Sequence, residues 1–97
     1  MIKHIVAFKL KGTPEERLDV ATRFKEALMA LPERINCIRS MEVGINMNPA
    51  EKWDLVLTAV VDNMDDLATY SNHPLHVAAA GIIKNYKEDR ACVDYDC

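Results

Sequence analysis

The feature that most constrains this chain is a hydrophobic period that switches back and forth along its length. Residues 2–10, IKHIVAFKL, are β-rich and partly alternating, as a strand with two unlike faces requires. Gly12 ends that run, and Thr13-Pro14-Glu15-Glu16 opens a helix. Thr13 is placed to cap it, Pro14 suits the first helical position, and Glu16 completes a capping box. Leu18, Ala21, Phe24, Leu28 and Leu31 recur at three- and four-residue steps, so the helix is predicted to run to about Leu31, with Pro32 near its end. Residues 37–47, CIRSMEVGINM, read as a second strand, with Gly44 as a bulge or a point of close approach. Residues 46–52 are a turn-rich connector, and 53–61, WDLVLTAVV, read as a third strand. Asp62-Asn63 supplies a cap for a short helix from Met64 to Tyr70. Ser71-Asn72 breaks it, His73-Pro74 restarts it, and the continuation is predicted to reach about Lys87. Residues 89–96, DRACVDYD, close the chain as a strand.

The order is β-α-β-β-α-β, with no linker, repeat or low-complexity tract, and 97 residues make one domain, 1–97. That order is the split βαβ pattern of a ferredoxin-like α+β fold. Right-handed crossovers place both helices on one side of a four-stranded antiparallel sheet.

Helices cover one face only, so the other needs an occupant. Alternation puts His4, Val6 and Phe8 on one face of the first strand, and Lys3, Ile5, Ala7 and Lys9 on the other. In the third strand Trp53, Leu55, Leu57, Ala59 and Val61 oppose Asp54, Val56, Thr58 and Val60. In the last, Cys92 and Asp94 oppose Ala91, Val93 and Tyr95. The bulkier sets, with Phe8, Trp53 and Leu57, are expected under the helices. The rest keeps Ile5, Ala7, Val56, Val60, Ala91, Val93 and Tyr95, too apolar a face to leave in water. The simplest closed solution is a homodimer, sheet against sheet.

A net charge of −3 without a basic run argues against nucleic acid as a partner. No apolar stretch approaches the roughly 18 residues of a membrane span. The N-terminus has no signal-peptide pattern. Cys37, Cys92 and Cys97 are odd in number and widely spaced, which disfavours a disulfide framework and suits a reducing, cytoplasmic setting. Cys97 is expected to fray.

Chemistry concentrates in residues 70–77, YSNHPLHV. If strands and helices pack as argued, His4, Tyr70, His76 and Asp94 meet between helix and sheet. A histidine there passes a proton near neutral pH, and a carboxylate sets its tautomer. A tyrosine hydroxyl polarises a carbonyl. The set suits enolisation, isomerisation or aldol-type condensation of a small carbonyl compound, without a cofactor. Each residue also has a structural alternative: His73 as a helix cap, His76 and His4 as hydrogen-bonded core histidines, Tyr70 as a plug at the helix break, Asp94 as a partner of Arg90 or a lysine, Cys92 as a small buried hydrophobe. A metal at His73 and His76 is disfavoured, because no third or fourth ligand accompanies them. Phosphate-loop, nucleophile-elbow and dinucleotide motifs are missing.

The opening MIKHIVAFKLK, the element order, the Y-x-x-H-P-x-H run from Tyr70 to His76 and the closing VDYD together resemble the stress-responsive A/B barrel (Dabb) family over nearly the whole chain. The resemblance implies a dimeric ferredoxin-like α/β barrel. Some plant members are heat-stable oligomers induced by stress, and one cyclises a linear polyketide by aldol condensation. By that resemblance Tyr70 and His76 are the catalytic pair, with His76 as base and Tyr70 as hydrogen-bond donor. His4 and Asp94 orient, and His73 is structural. Phe8 and Leu57 on the helix-facing side, with Phe24 of the helical stripe, are expected to line a pocket for an apolar or aromatic carbonyl compound. The chain departs from the cyclase at Ala78–Ala80, where that enzyme carries a bulky aromatic. The alternatives are a non-enzymatic stress-associated oligomer and a cofactor-free oxygenase of aromatic polyketides.

Overall fold

The computed structural model covers residues 1–97. The chain runs through β1 (Ile2–Leu10), α1 (Pro14–Met29), a 3-10 turn (Leu31–Glu33), β2 (Ser40–Ile45), β3 (Leu55–Val61), α2 (Met64–Asn72), α3 (Pro74–Ile83) and β4 (Lys87–Asp96). The strands form one antiparallel sheet in the order β2-β3-β1-β4, the ferredoxin-like arrangement. β1 is central, pairing with β3 on one side and β4 on the other.

Local signals explain the boundaries. Gly12 turns the chain from β1 into α1 at φ +112°, a conformation that L side chains rarely adopt. The capping box forms in full: the Glu16 N–H donates to Thr13 Oγ1 at 3.1 Å, and the Thr13 N–H donates to Glu16 Oε1 at 3.2 Å. Asn63 caps α2 by accepting from the Asp66 N–H at 2.8 Å. Asp54 fastens β1 and α1 to the approach of β3, accepting from the Leu10 N–H at 2.6 Å and from Arg17 Nε at 3.2 Å.

The helix-side face of the sheet alternates as expected: Val6, Phe8 and Leu10 are buried with Val43, Leu55, Leu57, Ala59 and Val61. Val20, Ala21, Phe24 and Leu28 of α1 and Ala79 and Ile83 of α3 pack onto them. Phe24 meets Phe8 edge to face, with centroids 5.5 Å apart. On the opposite face Val56, Val93 and Tyr95 are 40%, 63% and 43% exposed.

Several expectations need correction. Leu18 is 57% exposed; the buried stripe starts at Val20. α1 stops at Met29, and Leu31 belongs to the separate 3-10 turn, where Pro32 prevents a continued helix. β2 is shorter than 37–47, and Gly44 pairs in regular register with Val56; the irregularity lies instead between Lys9 and Leu10. β3 begins at Leu55, so Trp53 lies before it, half-buried beneath Lys52, and not under the helices. α2 continues through Asn72, because Pro74 disfavours helical geometry at His73 and puts the break there. α3 ends at Ile83 and β4 begins at Lys87. Cys97 does not fray: its N–H donates to the Met1 carbonyl at 2.9 Å.

Phe24→Ala empties a wholly buried position and is expected to cost about 3–5 kcal/mol. Thr13→Ala removes only a cap and is expected to cost about 1 kcal/mol. Urea unfolding with unchanged m-values checks both, and equal losses would contradict the assigned core.

Candidate functional site

The β1–β4 register sets His4 directly opposite Asp94 and Val6 opposite Cys92. Directly paired residues project to the same side of a sheet, so all these side chains point toward the helices. His4 is the one buried polar residue of the core, and its Nδ1 is hydrogen-bonded to Asp94 Oδ1. A carboxylate only accepts, so Nδ1 carries the proton and donates it to Asp94. Cys92 Sγ lies 3.6 Å from both His4 Nδ1 and Asp94 Oδ1. These three groups would be the ones to hold a metal, since their ligand atoms fall within 4.8 Å of one another. An ion there would have to displace the His4–Asp94 bond. Burial, then the Asp94 charge, also pushes the Cys92 thiol up and opposes the thiolate a metal needs.

The helical half of the site follows from His73-Pro74. His73 caps α3, its Nδ1 accepting from the Leu75 N–H at 3.1 Å. Its ring is therefore occupied by the backbone. The restart places His76 in the first turn of α3, with Nδ1 2.9 Å from the Ser71 carbonyl. That carbonyl only accepts, so His76 donates from Nδ1 and leaves Nε2 as a free base. Burial lowers its pKa, outweighing the Ser71 hydrogen bond that raises it, so the neutral ring is favoured at pH 7.

Tyr70, near the end of α2, stands between the two histidines. Its ring centroid is 4.5 Å from that of His76 and 6.2 Å from that of His4. The residue is 0% exposed, and its hydroxyl has no hydrogen-bond partner in the protein. Burial pushes its pKa up to about 12, so it remains a proton-bearing donor.

A cavity of about 180 Å³ opens between the sheet and α3. Val6, Phe8, Phe24, Leu57 and Ile83 form its apolar wall, and Ala80 adds the small side chain that keeps it open. His4, Ser71 and His76 form its polar end, and Lys87 and Arg90 of β4 stand at its margin. Five of the seven residues singled out from sequence thus line one cavity: His4, Phe8, Phe24, Leu57 and His76. Tyr70 and Asp94 lie just behind its wall, against the two histidines. Lys87 and Arg90 were not anticipated. Stepping the β4 alternation back from Asp94 and Cys92 would have put Arg90 on the same face.

A larger depression, about 660 Å³, lies by the loop before β3. Its three cations are each paired: Arg17 with Asp54 at 3.2 Å, Lys9 with Glu88 at 2.6 Å, and Lys52 with Asp89 at 3.8 Å. Glu51 stands there without an ion pair, but no histidine, tyrosine or cysteine lines this depression, whereas the smaller cavity has two histidines.

Fold and site define a small ferredoxin-like α+β domain with a histidine-lined cavity beneath its helices and a buried tyrosine behind the cavity wall. The family model for the stress responsive A/B barrel domain (Dabb) matches residues 2–97, and the chain belongs to that family. An uncharacterised protein of Streptomyces coelicolor is 31% identical over 90 residues, covering 89% of this chain and 90% of its own. A dimeric ferredoxin-like protein of unknown function from Bacteroides fragilis is 52% identical, with a TM-score of 0.96 over 99% of this chain and 95% of its own. A second dimeric ferredoxin-like protein of unknown function, from Thermobifida fusca, is 30% identical, with a TM-score of 0.80 over 99% and 90% of the two chains.

A neutral buried His76 has a pH signature. Its folded pKa lies below the ordinary value near 6.5, so below about pH 6.5 the unfolded chain binds the extra proton more readily. The stabilisation is present in full above that pH and is lost as pH falls toward the depressed folded value. Acidification from about pH 7 to about pH 5 is expected to destabilise the wild type more than His76→Asn in urea unfolding. Parallel pH slopes would show that the ring titrates normally.

Proposed function

We propose that this protein is a cofactor-free acid–base catalyst acting on a small apolar or aromatic carbonyl compound, in the manner of an isomerase or cyclase. His76 Nε2 removes a proton from the carbon next to the carbonyl. The electron pair moves into the C–O bond, and Tyr70 donates a hydrogen bond to the oxygen as it becomes an enolate. Tyr70 stands behind the cavity wall, so this reading requires the wall to open toward its hydroxyl when substrate binds. His76 then returns the proton at the carbon where the new bond arrangement requires it. His4, held by Asp94, keeps the polar end of the cavity in register.

The observation that carries this reading is the Tyr70 hydroxyl, wholly buried beside a neutral histidine and without a partner. A buried hydroxyl left unpaired costs about 1–3 kcal/mol, which a purely structural residue at this position would avoid by being phenylalanine. Tyr70→Phe is therefore expected to keep or raise the melting temperature while abolishing turnover. His76→Ala should also abolish it. Turnover is read as deuterium incorporation from D₂O into a panel of enolisable ketones, followed by NMR. Full exchange activity in Tyr70→Phe would sink the assignment.

The structural-oligomer reading draws on a different fact: His4, His73 and His76 each have a hydrogen bond within the protein. Under that reading the hydroxyl deletion changes nothing and His76→Ala costs only stability.

The homodimer is part of the proposal. It is supported by the exposed Val56, Val93 and Tyr95 on the open sheet face and by the dimeric Bacteroides fragilis protein. Val93→Asp is expected to yield a folded monomer in light scattering coupled to size exclusion, and an undisturbed dimer would move the interface elsewhere. No helix is long and apolar enough to cross a membrane. The three cysteines are free, which supports a reducing, cytoplasmic location.

A further inference from the structure

The cavity carries an imbalance of charge that the acid–base chemistry does not use. None of its lining residues is acidic, yet Lys87 and Arg90 stand at its margin. Arg90 pairs with Phe8 and Lys87 with Leu10 in the β1–β4 register, so both project to the helix-covered side of the sheet. Arg90 is near enough to both His76 and Cys92 to act on their titration. Neither cation has an ion-pair partner, whereas the adjacent acids do: Glu88 is held by Lys9 at 2.6 Å, Asp89 by Lys52 at 3.8 Å, and Asp94 by His4. Two uncompensated positive charges at one cavity, in a chain of net charge −3, select the sign of what enters.

We propose that the substrate of this cavity is a small carboxylate, an oxo acid whose carboxylate is gripped by Arg90 and Lys87 while its carbonyl end lies toward His76 and Tyr70. The inference rests on the acid–base reading of the same cavity and adds the class of molecule. A volume of about 180 Å³ is about six times the share of one water molecule in the liquid, which limits the ligand to about six to ten heavy atoms. The guanidinium fork matches a planar carboxylate, and the lysine adds a second point charge. An unpaired carboxylate would not leave water for an apolar cavity, and these two side chains provide the pairing.

The test is isothermal titration of the full chain with acetoacetate, its neutral isostere acetoacetamide, and inorganic phosphate. Acetoacetate is expected to bind at least tenfold more tightly than the amide, and more weakly as salt rises. Arg90→Gln should erase that difference while leaving amide affinity within about twofold, and Lys87→Gln should reduce it in part. Equal affinity for acid and amide, or an unchanged preference in Arg90→Gln, overturns the carboxylate grip. Tighter binding of phosphate than of acetoacetate overturns the carboxylate as the anion. Deuterium exchange at C2 of acetoacetate, measured against the buffer rate, separates the two readings. Arg90-dependent binding without enhanced exchange keeps the anion site and removes the catalysis. Enhanced exchange of neutral ketones without an acid preference does the reverse. Binding of neither acid nor amide overturns the grip outright.

Discussion

The register of β1 between β3 and β4 is the constraint on which the rest of the structure depends. It sets His4 opposite Ala59 on one side and Asp94 on the other, with Val6 and Phe8 following on the same face. The side-chain period of a strand is two, so a slip of one residue would turn His4, Val6, Phe8 and Leu10 to the open face together. The buried hydrophobes would lose their helices and the histidine its carboxylate in one step. Burial of Phe8 and Leu10 therefore holds the polar site in place as firmly as any polar contact does.

The site itself is a local exception to the way the core is built. Around it the layer between sheet and helices is aliphatic and phenylalanine. Within it stand two histidines and a tyrosine in edge and tilted contact. Both histidines have one nitrogen satisfied by a fixed acceptor, which leaves the other free. Burial then drives His76 toward the neutral base and Tyr70 toward the protonated donor. One physical cause, desolvation, acts on both groups, favouring the neutral imidazole and the protonated phenol that the proposed acid–base roles require.

Much of this was legible because it rests on short-range rules. Thr13 and Glu16 define a helix start within four residues of chain, and His73-Pro74 defines another. Alternation in β1 and β4 was sufficient to bring His4 and Asp94 to one face. The errors fell where neighbours in space outweigh neighbours in sequence. Leu18 fits the helical stripe in spacing yet lies on the exposed flank, because the sheet meets α1 along Val20, Phe24 and Leu28. Trp53 reads as strand, yet the Asp54 side chain is held by the Leu10 N–H and Arg17, and β3 begins only after it. Arg90 was within reach of the alternation argument, but its significance depends on Glu88 and Asp89 being engaged elsewhere.

The amino-acid sequence by itself determined the order of elements, the helix starts, the two-faced sheet and the shortlist of titratable groups. Those follow from backbone sterics, capping and hydrophobic period, which act over a few residues. Only the tertiary structure decided which nitrogen of each histidine is free, that the Tyr70 hydroxyl has no partner, and that Lys87 and Arg90 stand uncompensated beside a cavity. Each of those depends on the absence or presence of an atom contributed from far along the chain. Desolvation and Coulomb energy depend on distance in space, and that distance exists only once β4 lies against β1.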